Sequence, residues 1–364
     1  MNAIKLRKCI EKVLSVTDNP IFIESKKGRI IVGGKNEFHG VVVSVPDESL
    51  SSDLFFVLSN DDASHLTKIL KNGDVDIRFE GDSVYFKSGK SKMTLGCLVD
   101  TEVYLNKVLS RYSEEGMFNI DGGMLSAALK KTRHNTNDST LRDAVMLGFH
   151  LTIENNIVEV MATNGRALAL TSFQVKDVKN DYKVVTNPHF ETLSRLFDSP
   201  QTRISIDKEI LSIHSRDLDG YDHRIISALV AGEQKDYRSI FARVLSGTEY
   251  EIECDKKELM ESLKISDFFT VKDARMHLQL EFSNTGCTVK AKSAKGVSEE
   301  ELEDIKLINP PQQSLTITLH SDIIMKAIGN STGETIKIKF GKPNMPCYIT
   351  DGHVQNALTV LLPT

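Results

Sequence analysis

Apolar and polar residues alternate through Phe149, Leu151 and Ile153, which is the period of a half-buried strand. Asn155-Asn156 follows, a pair that tolerates positive φ and so predicts a two-residue turn. Ile157, Val158 and Val160 form the return strand of this hairpin. Asn164-Gly165 predicts a second hairpin, with Ala167 to Leu170 as its outgoing strand. Arg142 to Phe173 is therefore read as a three-stranded meander, and the same pattern occurs twice more along the chain.

Residues 4–15 predict a helix, because Leu6, Ile10, Val13 and Leu14 fall on one stripe. Strands are expected at 21–24, 29–32, 41–45 and 54–58, the first two joined by a Lys27-Gly28 turn. Asn60 to Asp62 are expected to cap a helix carrying Leu66, Ile69 and Leu70, which Gly73 ends. Residues 74–98 make a second meander. The order restarts at Gly116, where Asp121 caps a helix, the central meander follows, and residues 183–186 form a strand. Asn187-Pro188 reads as an N-cap with proline at the first helical position, leading a helix over 189–197. A further meander covers 203–215. It restarts again at Tyr250, where Asp255 and Glu258 predict a capping box for a helix over 256–266. A meander over 277–293 and a strand over 315–319 come next. Ser321-Asp322 then cap a second helix, and 335–363 close the unit as strands.

The chain thus reads as three copies of helix, strands, helix, strands. Leu6, Leu125 and Leu259 mark the first helices, and Leu66, Phe190 and Ile323 the second ones. Ser110–Gly116 and Ser246–Tyr250 are the candidate linkers, giving domains at 1–115, 116–247 and 248–364. Few helices among many strands predict an α+β fold with helices segregated to one sheet face.

The length of 364 residues exceeds one compact core, in keeping with several domains. Apolar residues make up 40% and charged residues 26%, an ordinary soluble composition. No apolar run reaches the roughly 18–20 residues of a membrane span. The N-terminus MNAIKLRKCIEKV carries charges through its apolar positions, so no signal peptide is expected. Five cysteines without C-x-x-C spacing fit a reduced, cytoplasmic compartment rather than a disulfide framework or zinc site.

The search for chemistry returns no catalytic set, no metal set and no cofactor motif. Gly28 to Lys35, GRIIVGGK, resembles a phosphate loop, but an extra glycine breaks the spacing and no Ser or Thr follows the lysine. His189-Phe190-Glu191 is half of a deaminase signature whose P-C-x-x-C half is missing. No H-E-x-x-H and no G-x-S-x-G occur. Glu300-Glu301 and Glu303-Asp304 lie in a polar stretch and read as a solvated loop.

The placement of positive residues is more informative. The first helix carries Lys5, Lys8 and Lys12 on one stripe, and the second adds Lys68 and Lys71. The middle copy has Lys130, Lys131, Arg133 and His134, then Arg195. The third has Lys257 and Lys264, beside Lys256, then Lys326. All six expected helices carry cations although the chain's net charge is −5, which points to one surface facing a polyanion. Those helices hold almost no aromatic residues, so phosphate contact with a duplex fits better than stacking on single strands.

With these patterns assembled, the sequence resembles the bacterial DNA polymerase III beta subunit, the sliding clamp, over essentially all residues. Ala162-Thr163-Asn164-Gly165-Arg166-Ala167-Leu168-Ala169 is similar to the family's A-T-D-G-H-R-L-A. Asp236-Tyr237-Arg238-Ser239-Ile240 is similar to its D-Y-R-R-V, and Val360-Leu361-Leu362-Pro363 to its apolar-Pro tail. Gly148 matches the glycine that opens the central meander. Arg166-Ala167 stands where the family has His-Arg, and family chains usually run on past Pro363. The chain is identified as a divergent member of phage or mobile-element character.

The resemblance implies three DNA-clamp domains, each with two helices on antiparallel sheets, closed into a ring as a head-to-tail homodimer. It implies a non-enzymatic processivity factor in the cytoplasm, or in the host cytoplasm for a phage protein. The ring would encircle duplex DNA without reading sequence and tether polymerase and clamp-loader peptides. The implied peptide pocket comprises Met146, Thr163, Gly165, Arg166, Leu168, Ile240, Val360, Leu361, Leu362 and Pro363. The implied dimer contacts are Met93 and Leu95 on one edge and Phe268 and Phe269 on the other. Two other classes fit the bare pattern. One is a three-repeat protein-interaction scaffold, favoured by a salt-insensitive lack of DNA association. The other is a DNA-processing enzyme, favoured by metal-dependent turnover.

Overall fold

A computed structural model describes the chain except for residues 51, 99–107, 134–143, 235, 271–276, 332, 344, 352–357 and 362–364, with backbone alone at 144 and 358–361. In chain order it contains α1 (Ala3–Leu14), β1 (Ile21–Lys26), β2 (Arg29–Lys35), β3 (His39–Pro46), β4 (Leu54–Leu58), α2 (Asn60–Ile69), β5 (Val75–Glu80), β6 (Ser83–Ser88) and β7 (Ser91–Gly96). Next come β8 (Phe118–Ile120), α3 (Gly122–Thr132), α4 (Ala144–Leu147), β9 (His150–Glu154), β10 (Ile157–Thr163), β11 (Ala167–Gln174) and β12 (Tyr182–Val185). A 3-10 turn (Phe190–Leu193) leads into α5 (Ser194–Phe197), followed by β13 (Thr202–Ile206), β14 (Ile210–Arg216), β15 (Asp222–Ala228) and α6 (Tyr237–Ser246). The remainder holds β16 (Tyr250–Asp255), α7 (Lys256–Phe268), β17 (His277–Phe282), β18 (Cys287–Ser293), β19 (Gly296–Glu301), β20 (Ile305–Asn309), β21 (Leu315–His320), α8 (Ser321–Gly329), β22 (Thr335–Phe340), β23 (Cys347–Asp351) and β24 (Leu358–Leu361).

Two compact units form. The first takes in Met1–Ala127, Val175–Tyr182 and His189–Ala231. Its larger sheet runs β4-β1-β2-β3-β15-β14-β13-β8, and its smaller one β5-β6-β7. The strand β3 pairs with β15 antiparallel, Val41 facing Ile225, so strands from the first and second copies share one sheet. Helix α1 turns Ala3, Leu6, Cys9, Ile10 and Val13 inward, onto β2, β3 and α2. Fully burying an aliphatic side chain of that size contributes about 2 kcal/mol. The Gly33-Gly34 pair of the phosphate-loop look-alike is explained by side chains packed against the strand, from β1 and from the chain that leads into it. A Cβ at Gly33 would sit 2.4 Å from the Phe22 ring, and one at Gly34 2.8 Å from the Thr17 methyl.

The second unit takes in Ala128–Gln174, Lys183–Pro188 and Gly232–Thr364. Its large sheet runs β12-β9-β10-β11-β24-β23-β22-β16-β20, and its smaller one β19-β18-β17-β21. The core between α7, α8 and the strands includes Leu259, Leu263, Leu280, Ile324, Ile328 and Ile338. The rings of Phe282 and Phe340 stack there at 3.9 Å.

Several expectations change in detail. Ser59, not Asn60 to Asp62, caps α2 through its hydroxyl on the Asp62 N–H. Its last residue is Ile69, four residues ahead of Gly73. The region after Asn187-Pro188 is a 3-10 turn and a four-residue helix, and His189 rather than Asn187 precedes it. His320 precedes α8 without a side-chain cap, so Ser321 and Asp322 lie inside the helix. Asp255 does cap α7, its carboxylate accepting from the Glu258 N–H at 2.8 Å. The Glu258 carboxylate, however, accepts from the Glu303 and Asp304 N–H groups instead of closing the box. Glu300 and Glu301 belong to β19 rather than to a loop.

Candidate nucleic-acid and partner interfaces

The hairpin between β10 and β11 is built by two side chains. The Thr163 hydroxyl donates to the Ala167 carbonyl at 2.9 Å and accepts from the Gly165 N–H at 3.1 Å. The Asn164 carboxamide oxygen accepts from the N–H groups of Arg166 and Ala167 at 3.0 and 2.8 Å. Asn164 and Ala167 close the turn, and the register pairs Thr163 with Leu168. The two central residues are therefore Gly165 and Arg166, one position later than Asn-Gly would place them. Gly165, at φ +79°, is the turn residue in the left-handed region, the pattern of a turn that needs glycine first.

This hairpin holds Thr163 and Leu168 buried and Arg166 exposed. Leu168 packs with Met161, Tyr237, Phe241, Val244 and Tyr348. The C-terminal strand lies directly alongside, with Leu168 paired to Val360 and Ala167 to Leu361. On its other side Val360 pairs with Tyr348. Met146 lies half-buried in α4, and Ile240 stands 41% exposed on α6. The structure therefore brings Thr163, Leu168, Val360 and Leu361 together on neighbouring strands, with Gly165 and Arg166 in the turn that joins two of them. Leu362 and Pro363 lie outside the described residues.

Helix α6 and its charged surroundings were missed in the sequence. Asp236 caps it through the Ser239 N–H, and Tyr237, Phe241 and Val244 are its buried face at i, i+4 and i+7. That spacing was a readable signal. Arg238 joins Glu154 and Glu159, each at 2.7 Å, and Lys183 also reaches Glu154 at 2.7 Å. The hydrogen bonds from Lys183 and Arg238 hold the Glu154 carboxyl below its usual range. Nothing local marks these partners, which lie 79 and 84 residues from Arg238. Glu159, Lys183 and Arg238 line a cavity of about 140 Å³ together with Thr152, Met161, Gln234, Asp236 and Tyr237.

The expected DNA-facing cations differ in partner and in exposure. On α1 the ammonium of Lys5 donates to the Pro46 carbonyl at 2.7 Å. Lys8 pairs with Asp219 at 3.0 Å and Lys12 with Asp217 at 2.9 Å. Burial alone would raise the Asp217 carboxyl, but hydrogen bonds from Lys12 and the Tyr221 N–H leave it below the usual carboxylate value. Lys131 lies 3.6 Å from the buried Asp351 carboxylate, and Lys326 pairs with Asp322 at 3.1 Å. Lys68, Lys71, Lys130, Arg133, Arg195, Lys257 and Lys264 are exposed, as is Lys326. Lys257 and Lys264 line an open cleft of about 660 Å³ with Met260 and Glu261. His134 and the loop at 135–140 lie outside the described residues.

The expected dimer residues lie on an edge strand in the first unit and at a helix end beside an edge strand in the second. Met93 and Leu95 are half-buried in β7, the last strand of its sheet. Phe268 ends α7 with 68% of its surface exposed, while Phe269 is half-buried against the core of the second unit. The two rings meet edge to face at 5.3 Å. Phe269 lies over Gly296, at the start of the edge strand β19, and Lys295 sits over Phe268.

A scan against protein-family models and a search of curated proteins return no match. Solved structures do match over the full length. The chain superposes on the beta subunit from DNA polymerase of Streptococcus pyogenes with a TM-score of 0.87 at 16% identity, covering 100% of this chain and 98% of that one. A DNA polymerase sliding clamp from Pseudomonas aeruginosa gives 0.86 at 18% identity, again over 100% and 98%. The DNA polymerase III beta subunit from Thermotoga maritima gives 0.84 at 18%, with the same coverage. The chain has the sliding-clamp fold. Within that class it is similar to bacterial DNA polymerase III beta subunits.

Proposed function

We propose that this chain is a divergent DNA polymerase III beta subunit, a sliding clamp that encircles duplex DNA and tethers a polymerase. The observation that carries the reading is the likeness in fold over 98% or more of both chains, together with the pairing of β24 beside the Thr163–Leu168 hairpin. The chain acts without catalysis or cofactor, in the cytoplasm, as three domains at 1–115, 116–247 and 248–364. Two copies close head to tail, the β7 edge of one meeting the β19 edge of the other, so each ring carries the contact twice. Pairing removes both exposed edges, which otherwise invite uncontrolled strand addition. Topological linkage then raises the polymerase's effective concentration at its primer end.

The hairpin, α6 and the C-terminal strand form the partner pocket. Aliphatic walls at Met146, Leu168 and Ile240 suit a short apolar peptide, and Thr163 and Gly165 present polar groups that orient it. A Pseudomonas aeruginosa clamp of this fold has been solved bound to griselimycin, so the fold accommodates a ligand. Arg166 adds a positive charge at the rim and favours a partner peptide with an acidic residue.

The deciding experiment is the solution mass, measured with and without closed circular DNA. A dimer that stays on circular duplex and slips off the linear form supports the clamp. A monomer, or equal loss from both DNA forms, overturns it. For the pocket, removal of Leu361 to Pro363 is expected to abolish binding of a labelled polymerase-tail peptide while leaving the dimer intact. Equal affinity of full-length and truncated protein would place the site elsewhere.

A further inference from the structure

Two of the three lysines on the α1 stripe, Lys8 and Lys12, are already paired with carboxylates from another part of the first unit. Between β14 and β15 the chain turns through Asp217-Leu218-Asp219-Gly220-Tyr221. The turn is closed by the Asp217 N–H on the Tyr221 carbonyl at 3.0 Å and the Gly220 N–H on the Asp217 carbonyl at 3.1 Å. The Asp217 carboxylate also accepts from the Tyr221 N–H at 2.9 Å, which fixes its direction. From this tip Asp217 reaches Lys12 and Asp219 reaches Lys8. Both ammonium groups also lie over the Tyr221 ring, at 5.8 Å for Lys8 and 5.2 Å for Lys12.

We infer that this acidic hairpin tip is an electrostatic latch, occupying Lys8 and Lys12 of α1 and setting how tightly the protein holds duplex DNA. The inference rests on the clamp reading above. The two pairs differ in a way that gives the latch an order of release. Lys12 and Asp217 are each 25% exposed, whereas Lys8 and Asp219 are 43% and 65% exposed. Phosphate oxygen competes first for Lys8, the wetter pair, because an exposed ion pair contributes little and is screened by salt. Tyr221, 3% exposed, stays beneath the lysines and keeps both ammonium groups aimed outward after the carboxylate leaves. Leu218 at the summit is 97% exposed, so burial of the apex does not hold the tip down. Charge pairs and the Tyr221 anchor do, and a polyanion can exchange with the former.

A lysine already neutralised by a carboxylate releases few counterions when it meets a phosphate, and so adds little to the salt dependence of binding. Asp219→Asn frees Lys8 without touching the turn's own hydrogen bonds. The expected result is a salt slope for retention on nicked circular duplex steeper by about one unit. Retention at low salt rises roughly threefold relative to that at fourfold higher salt, beyond the wild-type ratio. Lys8→Gln is expected to remove this gain, so that the double variant behaves as Lys8→Gln alone. Leu218→Ala keeps both pairs and is expected to match wild type. If wild type is retained on the circle and Asp219→Asn matches it, the latch is wrong and the clamp reading stands. If Leu218→Ala changes retention as Asp219→Asn does, charge is not the cause and the latch is again wrong. A wild type retained by neither circular nor linear DNA overturns both.

Discussion

Single residues decide which surfaces are free for partners. The adjacent Phe268 and Phe269 looked equivalent in sequence, yet one is exposed and the other lies on the unit's own core. A charge at Phe269 would damage folding and association together, so Phe268 is the cleaner probe. Phe268→Lys is expected to shift the sedimentation of the purified protein toward monomer at low micromolar concentration, with circular dichroism unchanged. A fully dimeric variant would remove Phe268 from the contact.

Two buried histidines make stability depend on pH. Burial, reinforced by the nearby His189, lowers His39 to about 4. Burial, reinforced by Lys12, lowers His223 to about 4 as well. Both are neutral in the folded chain at a pH where the unfolded chain, with imidazoles near 6.5, takes up protons. The unfolded state therefore binds more protons between about 6.5 and 4, and stability falls as pH drops through that window. Each group contributes at most about 1.4 kcal/mol per pH unit there. The urea midpoint is expected to fall between pH 7 and pH 4.5, and His223→Gln to flatten that fall. An identical slope in the variant would exclude His223 as a source.

At the scale of elements, α6 shows what a single capping residue and a spaced apolar face achieve together. Tyr237, Phe241 and Val244 lie on the buried side, and Asp236 satisfies a first-turn N–H. Asp236→Ala is expected to cost about 1 kcal/mol in the unfolding free energy. The helix also carries Ile240 and Arg238, so the variant should weaken capture of a partner peptide more than its stability loss explains. Unchanged peptide affinity would separate the helix from the pocket. The α7 cap shows the opposite lesson. Asp255 does what its spacing predicts, but the Glu258 carboxylate accepts from the N–H groups of Glu303 and Asp304, 45 and 46 residues away.

Over the whole molecule, the placement of exposed cations matters more than the net charge. Lys8, Lys12, Lys131 and Lys326 are matched by carboxylates, while Lys68, Lys257 and Lys264 are exposed in α2 and α7. Reversal of Lys68, Lys257 and Lys264 to Glu is expected to weaken retention on circular duplex and to flatten its salt dependence. Retention unchanged across salt would remove these helices from the DNA surface. Reversal at Lys131 is a poorer test, because it would leave the buried Asp351 carboxylate beside a second negative charge.

The sequence alone determined most of the elements, because strand alternation and the α1 stripe at Leu6, Ile10 and Val13 are local periodicities that burial on one face imposes. It also determined where the candidate hairpin lies, since Thr163, Asn164 and Gly165 carry the turn's own hydrogen bonds. Only the tertiary structure decided what each face meets. The Val360 backbone pairs with Leu168, Phe269 packs inward and Asp217 reaches Lys12, although these partners lie far apart in sequence. Such pairings follow from strand order and packing across a sheet, which no local period encodes.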